Sequence, residues 1–316
     1  MNPSMRALVF TAPGEVRLLD VPRPDATPGT VVLDVRAAGI CGSELHGFRH
    51  TGFRTPPLIM GHEFAGITPD GRRVVAYPLV SCGLCDLCRR GRTQICRNRR
   101  LLGAQLPGGF AEQVAIAGTA LHELPPDMSW QRAAMVEPLA NAVHAWRQAG
   151  DDLTGDRVAI VGAGTIGLVS LLVARRLGLG DITVVDRSPD RLALAARLGA
   201  ATCADALTGE YDVVLDAVGA QATRAAAMRC VRPGGTAVWV GLAESPSAFD
   251  GNDLVRFEKR VVGSFAYTQE EFAEALALAP SLDLGWTTPV PLTEARDVFM
   301  SLANGAPAPV KAVIMP

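Results

Sequence analysis

The sequence predicts an α/β protein of two parts, a β-rich N-terminal part and a doubly wound parallel sheet. Three observations carry this expectation. A chain of 316 residues is long enough for about two cores. Up to residue 125 or so, short apolar runs alternate with Pro and Gly, as strands and turns do. From Arg157 the rhythm changes to strand, turn, helix, repeated, which is the pattern of parallel strands with covering helices.

The composition is globular, with 48% hydrophobic and 20% charged residues. A formal charge of -2 and few aromatic side chains argue against a nucleic-acid partner. The short basic patches "CRRGR" and "CRNRR" then read as solvated surface. The N-terminus lacks the apolar stretch of a secretion signal, and the apolar runs are broken before membrane-spanning length. The expected location is the cytoplasm, where cysteines serve as metal ligands or reactive thiols more than as disulfides.

In order, "RALVF", "VRLLDV", "TVVLDVRAAGI", "RRVVAYP" and "FAEQVAI" read as strands of the first part. "SWQRAAMVEPLANAVHAWRQAG" is apolar at helical spacing. "RVAIVGAG", "DITVVD", "YDVVLDAVG", "GGTAVWVG" and "RVVGSF" then alternate with helical segments, ending in "QEEFAEALALA". The tail, a helix at "PLTEARDVFMSLANG" and a strand at "VKAVIMP", is placed back on the first part. The expected domains are residues 1–140 with 282–316, and residues 141–281.

Two motifs carry chemistry. In "VAIVGAGTIG" the residues Gly162, Gly164 and Gly167, with Thr165 and Ile166 between them, form G-x-G-x-x-G between an apolar strand and an apolar helix. Gly162 allows a tight turn, Gly164 a close approach of backbone to pyrophosphate, and Gly167 close packing of helix on strand. The phosphates would rest on the helix N-terminus. Asp186, 19 residues past Gly167, ends the next strand. A carboxylate there accepts ribose hydroxyls and repels a 2′-phosphate, which favours NAD over NADP, although Arg187 and Arg191 lie close by.

The second motif is a pair of cysteine groups. Cys82, Cys85, Cys88 and Cys96, spaced C-x2-C-x2-C-x7-C, suit a closed four-thiolate zinc site with a structural role. Cys41, in "GICGSELH", has no neighbouring cysteine. With His62 and Glu63 of "MGHEFAG" and with Glu137 it makes a mixed donor set that leaves zinc a position for substrate. Taken singly, each has a structural reading: a buried thiol, a core imidazole, a helix-start carboxylate. Between the two carboxylates, side-chain alternation would turn His62 and Glu63 to opposite faces of a strand. Glu137 is therefore expected as the resting ligand, direct or through a water, with Glu63 outside the ligand set or joining it transiently.

Together these segments resemble the zinc-dependent medium-chain dehydrogenase/reductase family, most of all its sorbitol, threonine and polyol dehydrogenase branch. "GICGSELH", "GHEFAG", the four-cysteine loop and "VGAGTIG" carry the resemblance, which spans nearly the whole chain. It implies a GroES-like catalytic domain, a Rossmann domain, an active site between them, and a homodimer or homotetramer. It also implies two zinc ions per chain and the transfer of hydride from a secondary alcohol to NAD. Ser43 matches the hydroxyl that contacts the substrate oxygen, and His46 the histidine that passes the proton on. Glu137 stands where alcohol dehydrogenases proper use a second cysteine. One departure is the short segment "EFAGITPDGRRVV", where relatives carry an extra hairpin. The competing readings are a zinc-independent reductase of the same fold, against which Cys41, His62 and Glu63 speak, and a non-enzymatic NAD-binding protein, against which the Ser43 and His46 pair speaks.

Overall fold

The strand Thr30–Gly39 organises the first half of the molecule. Its β-branched Thr30, Val31, Val32 and Val35 suit a pleated, half-buried surface. It pairs antiparallel with three strands: Glu63–Ile67, Gln113–Ala117 and the C-terminal Lys311–Met315. The computed structural model describes residues 4–153, 155–306 and 309–316. These separate into two units, Met1–Glu137 with Thr268–Pro316, and Pro138–Tyr267.

In the first unit the main sheet runs Leu121–Glu123, Arg73–Ala76, Glu63–Ile67, Thr30–Gly39, Lys311–Met315, Thr287–Pro291. A second sheet of Glu15–Pro22, Ser4–Ala12 and Leu58–Ile59 belongs to the same unit. Their apolar faces form one core around Phe10, Leu33, Phe48, Phe64, Phe110 and Phe299. Phe48 and Phe299 meet edge-on at 5.2 Å, which ties the C-terminal helix Ala295–Ala303 into this core. The short segment after Glu63 folds as a direct hairpin: Thr68 and Arg72 close the turn, and Gly71 takes φ +87°.

In the second unit six parallel strands lie in the order Thr202–Ala204, Ile182–Val185, Val158–Val161, Tyr211–Asp216, Val231–Trp239, Arg260–Gly263. Numbered along the unit, that order is 3-2-1-4-5-6, and it reverses between the first and fourth strands. In such sheets a ligand binds outside the carboxyl ends of the strands at that reversal. "VAIV" and "ITVV" are buried throughout, as strands covered on both faces must be.

One expectation is sharpened and one corrected. The helical stretch at 129–150 is two helices, Trp130–Ala134 and Val136–Ala149. Pro138 explains the break, since a continuous helix would set its ring against the Ala134 carbonyl. The domain boundary also shifts, because the helix Gln269–Leu278 belongs to the first unit and not to the parallel sheet. Its Phe272 is fully buried against Tyr77, at 5.5 Å, and His122, at 5.1 Å. Gln269 donates to the Thr119 carbonyl at 3.1 Å. Amphipathic spacing identifies such a helix but says nothing of which core its apolar face meets. Truncating Phe272 to Ala is expected to destabilise the first unit by about 3–5 kcal/mol, read by chemical denaturation, with the glycine-turn unit unaffected.

Candidate active site and metal centres

The four-cysteine loop gathers its thiols. The Sγ–Sγ separations are 3.4 Å for Cys82–Cys96, 3.5 Å for Cys85–Cys88, 3.9 Å for Cys85–Cys96 and 4.0 Å for Cys82–Cys88. A tetrahedron of thiolates about 2.3 Å from zinc has edges of about 3.8 Å, so the observed set brackets it. A disulfide needs sulfurs about 2.05 Å apart, which none of these pairs approaches. The backbone N–H groups of Cys88 and Arg97 draw the Cys85 thiol down to about 6. Burial and the neighbouring sulfurs of Cys85 and Cys96 push Cys88 up to about 12. Four thiols gathered this closely suit a cation that takes all of them as thiolates.

The second cluster is Cys41, His62 and Glu63, whose donor atoms all lie within 4.8 Å of one another. Glu44, buried on the short helix Gly42–Gly47, organises it. One Glu44 oxygen accepts from Cys41 N at 3.0 Å; the other accepts from Gly61 N at 2.8 Å and lies 3.0 Å from His62 Nδ1. An ionised carboxylate can only accept, so Nδ1 carries a proton, and Nε2, once it gives up its own, is the nitrogen free to bind a metal. Burial raises the Glu44 carboxyl, but the charge and hydrogen bond of His62 and the charge of Arg54 outweigh it and hold it below its ordinary value. Burial alone would lower His62; the charges of Glu44 and Cys41 instead lift the imidazole well above its ordinary value. Sequence reasoning gave Glu44 no role.

Glu63 stands beside His62 in sequence, yet both reach one point. Alternation separates neighbours only within a strand; the strand starts at Glu63, and Gly61, with φ +98°, turns the chain just before it. The Glu63 carboxylate is paired with Lys311, whose ammonium also donates to the Ile40 carbonyl at 3.0 Å. Gly39 lies opposite Glu63 in the sheet, where a Cβ would collide with both members of the pair. Burial lowers Lys311, but the charges of Glu63, Cys41 and Glu137 raise it, so it is held as an ammonium. Glu137 is thus close enough to act electrostatically on the pair; it is buried at the start of Val136–Ala149 and is not one of the three gathered donors. Lys311 lies 248 residues from Glu63, and no short-range pattern points to it.

Ser43 and His46 sit one turn apart on the helix Gly42–Gly47, both exposed. Ser43 Oγ accepts from Arg54 Nη2 at 3.2 Å.

In the second unit the glycine turn has the expected form. Gly162 takes φ +97°, and a Cβ on Gly167 would strike the Gly162 carbonyl. A Cβ on Gly164 would meet nothing within 4 Å, which leaves the space that a pyrophosphate needs above the start of Thr165–Arg176. Ile166 lies in its first turn. The Asp186 carboxylate accepts from Ala163 N at 2.7 Å and Ser188 N at 2.9 Å, which fixes it against the turn. Arg191 Nη1 is 3.9 Å from that carboxylate, and Arg187 is exposed beside it.

Residues 165–281 match the zinc-binding dehydrogenase family, and residues 27–126 the alcohol dehydrogenase GroES-like domain. The chain is 32% identical to D-arabitol-phosphate dehydrogenase of Enterococcus avium over 96% of each chain. It is 32% identical to L-threonine 3-dehydrogenase of Chelativorans sp. (strain BNC1), over 81% of this chain and 82% of that one. Its fold matches that of a zinc-binding dehydrogenase from Sinorhizobium meliloti 1021, solved bound to NADP, with a TM-score of 0.93, 30% identity and 100% of both chains covered. No helix among the described residues is long and apolar enough to cross a membrane.

The two clusters make a stoichiometric test. Elemental analysis of metal-replete protein is expected to give about two zinc ions per chain, and Cys85→Ser about one, with lower thermal stability. One zinc in the fully loaded unmodified protein would show that only one cluster binds metal.

Proposed function

The chain belongs to the zinc-binding medium-chain dehydrogenase/reductase family, and from that premise we propose that it interconverts a secondary alcohol of polyol, cyclitol or amino-alcohol type and its ketone, with NAD taking the hydride. The observation that carries this reading is the convergence of Cys41, His62 and Glu63, with Ser43 and His46 on the helix Gly42–Gly47 that Cys41 caps. A sulfur, an imidazole and a carboxylate fit zinc and leave it a position for an oxygen. The thiol usage suits the cytoplasm.

Zinc bound by these residues would supply the Lewis acidity that makes an alcohol proton labile, and the nicotinamide would supply the hydride acceptor. The chain's own part is to handle the proton and to hold the cofactor. Ser43 would take the substrate proton on its exposed oxygen, and His46, one turn along, would pass a proton on toward solvent. Glu44 keeps the His62 ring oriented. Asp186, anchored to the turn by Ala163 N–H, would accept the ribose hydroxyls of the adenosine. The test is NADH formation across polyols, cyclitols and L-threonine, with NADP in parallel. Polyol phosphates belong on the panel because the Enterococcus avium relative is named for one.

Two expected outcomes follow from the geometry. Asp186→Ala should weaken NAD binding and relax discrimination against NADP; faster turnover of the unmodified protein with NADP at equal concentration would mean that Arg187 and Arg191 outweigh the carboxylate. For the metal, we place Glu63 in the ligand set with Cys41 and His62, and Glu137 beside it. Glu63→Ala is then expected to lower zinc affinity more than Glu137→Ala, measured by competitive chelation. A residue that only supports a ligand typically costs about 10- to 100-fold when removed. The opposite ranking would give Glu137 the direct bond.

A further inference from the structure

Arg54 belongs to none of the motifs, yet it is 2% exposed and carries a full charge. Its three hydrogen bonds end on neutral acceptors: Nε on the Gly103 carbonyl at 3.0 Å, Nη1 on the Ser43 carbonyl at 2.9 Å, and Nη2 on Ser43 Oγ at 3.2 Å. A buried guanidinium held by such acceptors costs more than an apolar side chain filling the same space. The fold nevertheless makes room for it. A Cβ on Gly47 would lie 2.7 Å from Nη1, and Gly103 turns its carbonyl toward Nε with φ +76°.

We propose that Arg54 is a positioning residue that acts through Ser43, orienting the hydroxyl that exchanges protons with the substrate. This rests on the function proposed above. A guanidinium can only donate, so Ser43 Oγ must accept from it. That bond uses one lone pair, directs the hydroxyl's own hydrogen away from Arg54, and leaves one lone pair to receive the substrate proton. When the substrate O–H bond breaks and a new Oγ–H bond forms, the original Ser43 proton departs toward the His46 side. The fixed positive charge beside Oγ stabilises any negative charge on that oxygen during the exchange.

A double-mutant cycle separates this role from mere support of the fold. Arg54→Met, Ser43→Ala and the double variant are loaded with zinc and assayed with the alcohol that the unmodified protein oxidises best. Zinc content and thermal stability are recorded for each. Arg54→Met is expected to lower kcat on the order of 10- to 100-fold with little change in KM, the scale of one charge-assisted hydrogen bond. In the Ser43→Ala background the same change should cost nothing further. Gly47→Ala displaces the guanidinium while keeping its charge and should reproduce part of the loss, and Arg54→Lys should restore part of it. If Arg54→Met does not fold, the cycle is run with Gly47→Ala and Arg54→Lys on the same criterion. Losses of equal size in both backgrounds, or an unchanged kcat, overturn the role of Arg54 alone. An unmodified chain that oxidises no alcohol on the panel overturns the proposed function and this role together.

Discussion

Two carboxylates buried side by side are the constraint on which the first unit is built. Glu44 and Glu63 are both within 2% of full burial and flank His62. An uncompensated buried charge is among the most expensive features a fold can carry. Each carboxylate has its own solution. Glu44 is surrounded by two backbone N–H groups, the His62 ring and the charge of Arg54. Glu63 is matched by Lys311. Because these partners occupy fixed points on separate segments, they also fix where Cys41 and His62 stand. The donor geometry is a consequence of charge balance as much as of strand pairing.

The four-cysteine loop solves a different problem. Its thiols lie at tetrahedral spacing with sulfur on every side, so nothing is left for a reacting oxygen. It is a local device: four thiols within 15 residues can gather around one ion with little help from the core. The Cys41 cluster is non-local. Its donors come from the end of one strand and the start of another, and Glu63 among them is paired with Lys311. A site with an open position has fewer metal–protein bonds to hold it together, and here the surrounding hydrogen bonds supply that rigidity.

This difference accounts for what was legible in the sequence. The glycine turn and the four-cysteine loop are short-range patterns, and their residues lie where the spacing places them. Cys41, His62 and Glu63 were legible as chemistry but not as geometry: alternation assigns Glu63 to the wrong face, because the backbone turn at Gly61 is invisible to a two-residue period. Glu44, Arg54 and Lys311 were not legible as site residues. Their partners are carbonyls, backbone N–H groups and a carboxylate, up to 271 residues away, and such contacts have no signature in local composition. The helix Gln269–Leu278 was legible as a helix and misplaced as to unit for the same reason.

The chain order gives the Glu63–Lys311 pair a further consequence. The strand Lys311–Met315 is the last in the sequence, and it enters the sheet beside Thr30–Gly39 only after the second unit has been passed. Until it docks, Glu63 has no ammonium to face, and the space that Gly39 leaves beside it has no stem to fill it. The ion pair and the strand pairing are therefore mutually dependent: burying Glu63 favours docking of the strand, and docking permits the burial. The Glu63 carboxylate, one of the three gathered donors, is thus neutralised by the part of the chain farthest from it in sequence. This couples the donor geometry to closure of the whole first unit, and not to the local "GHEFAG" segment alone.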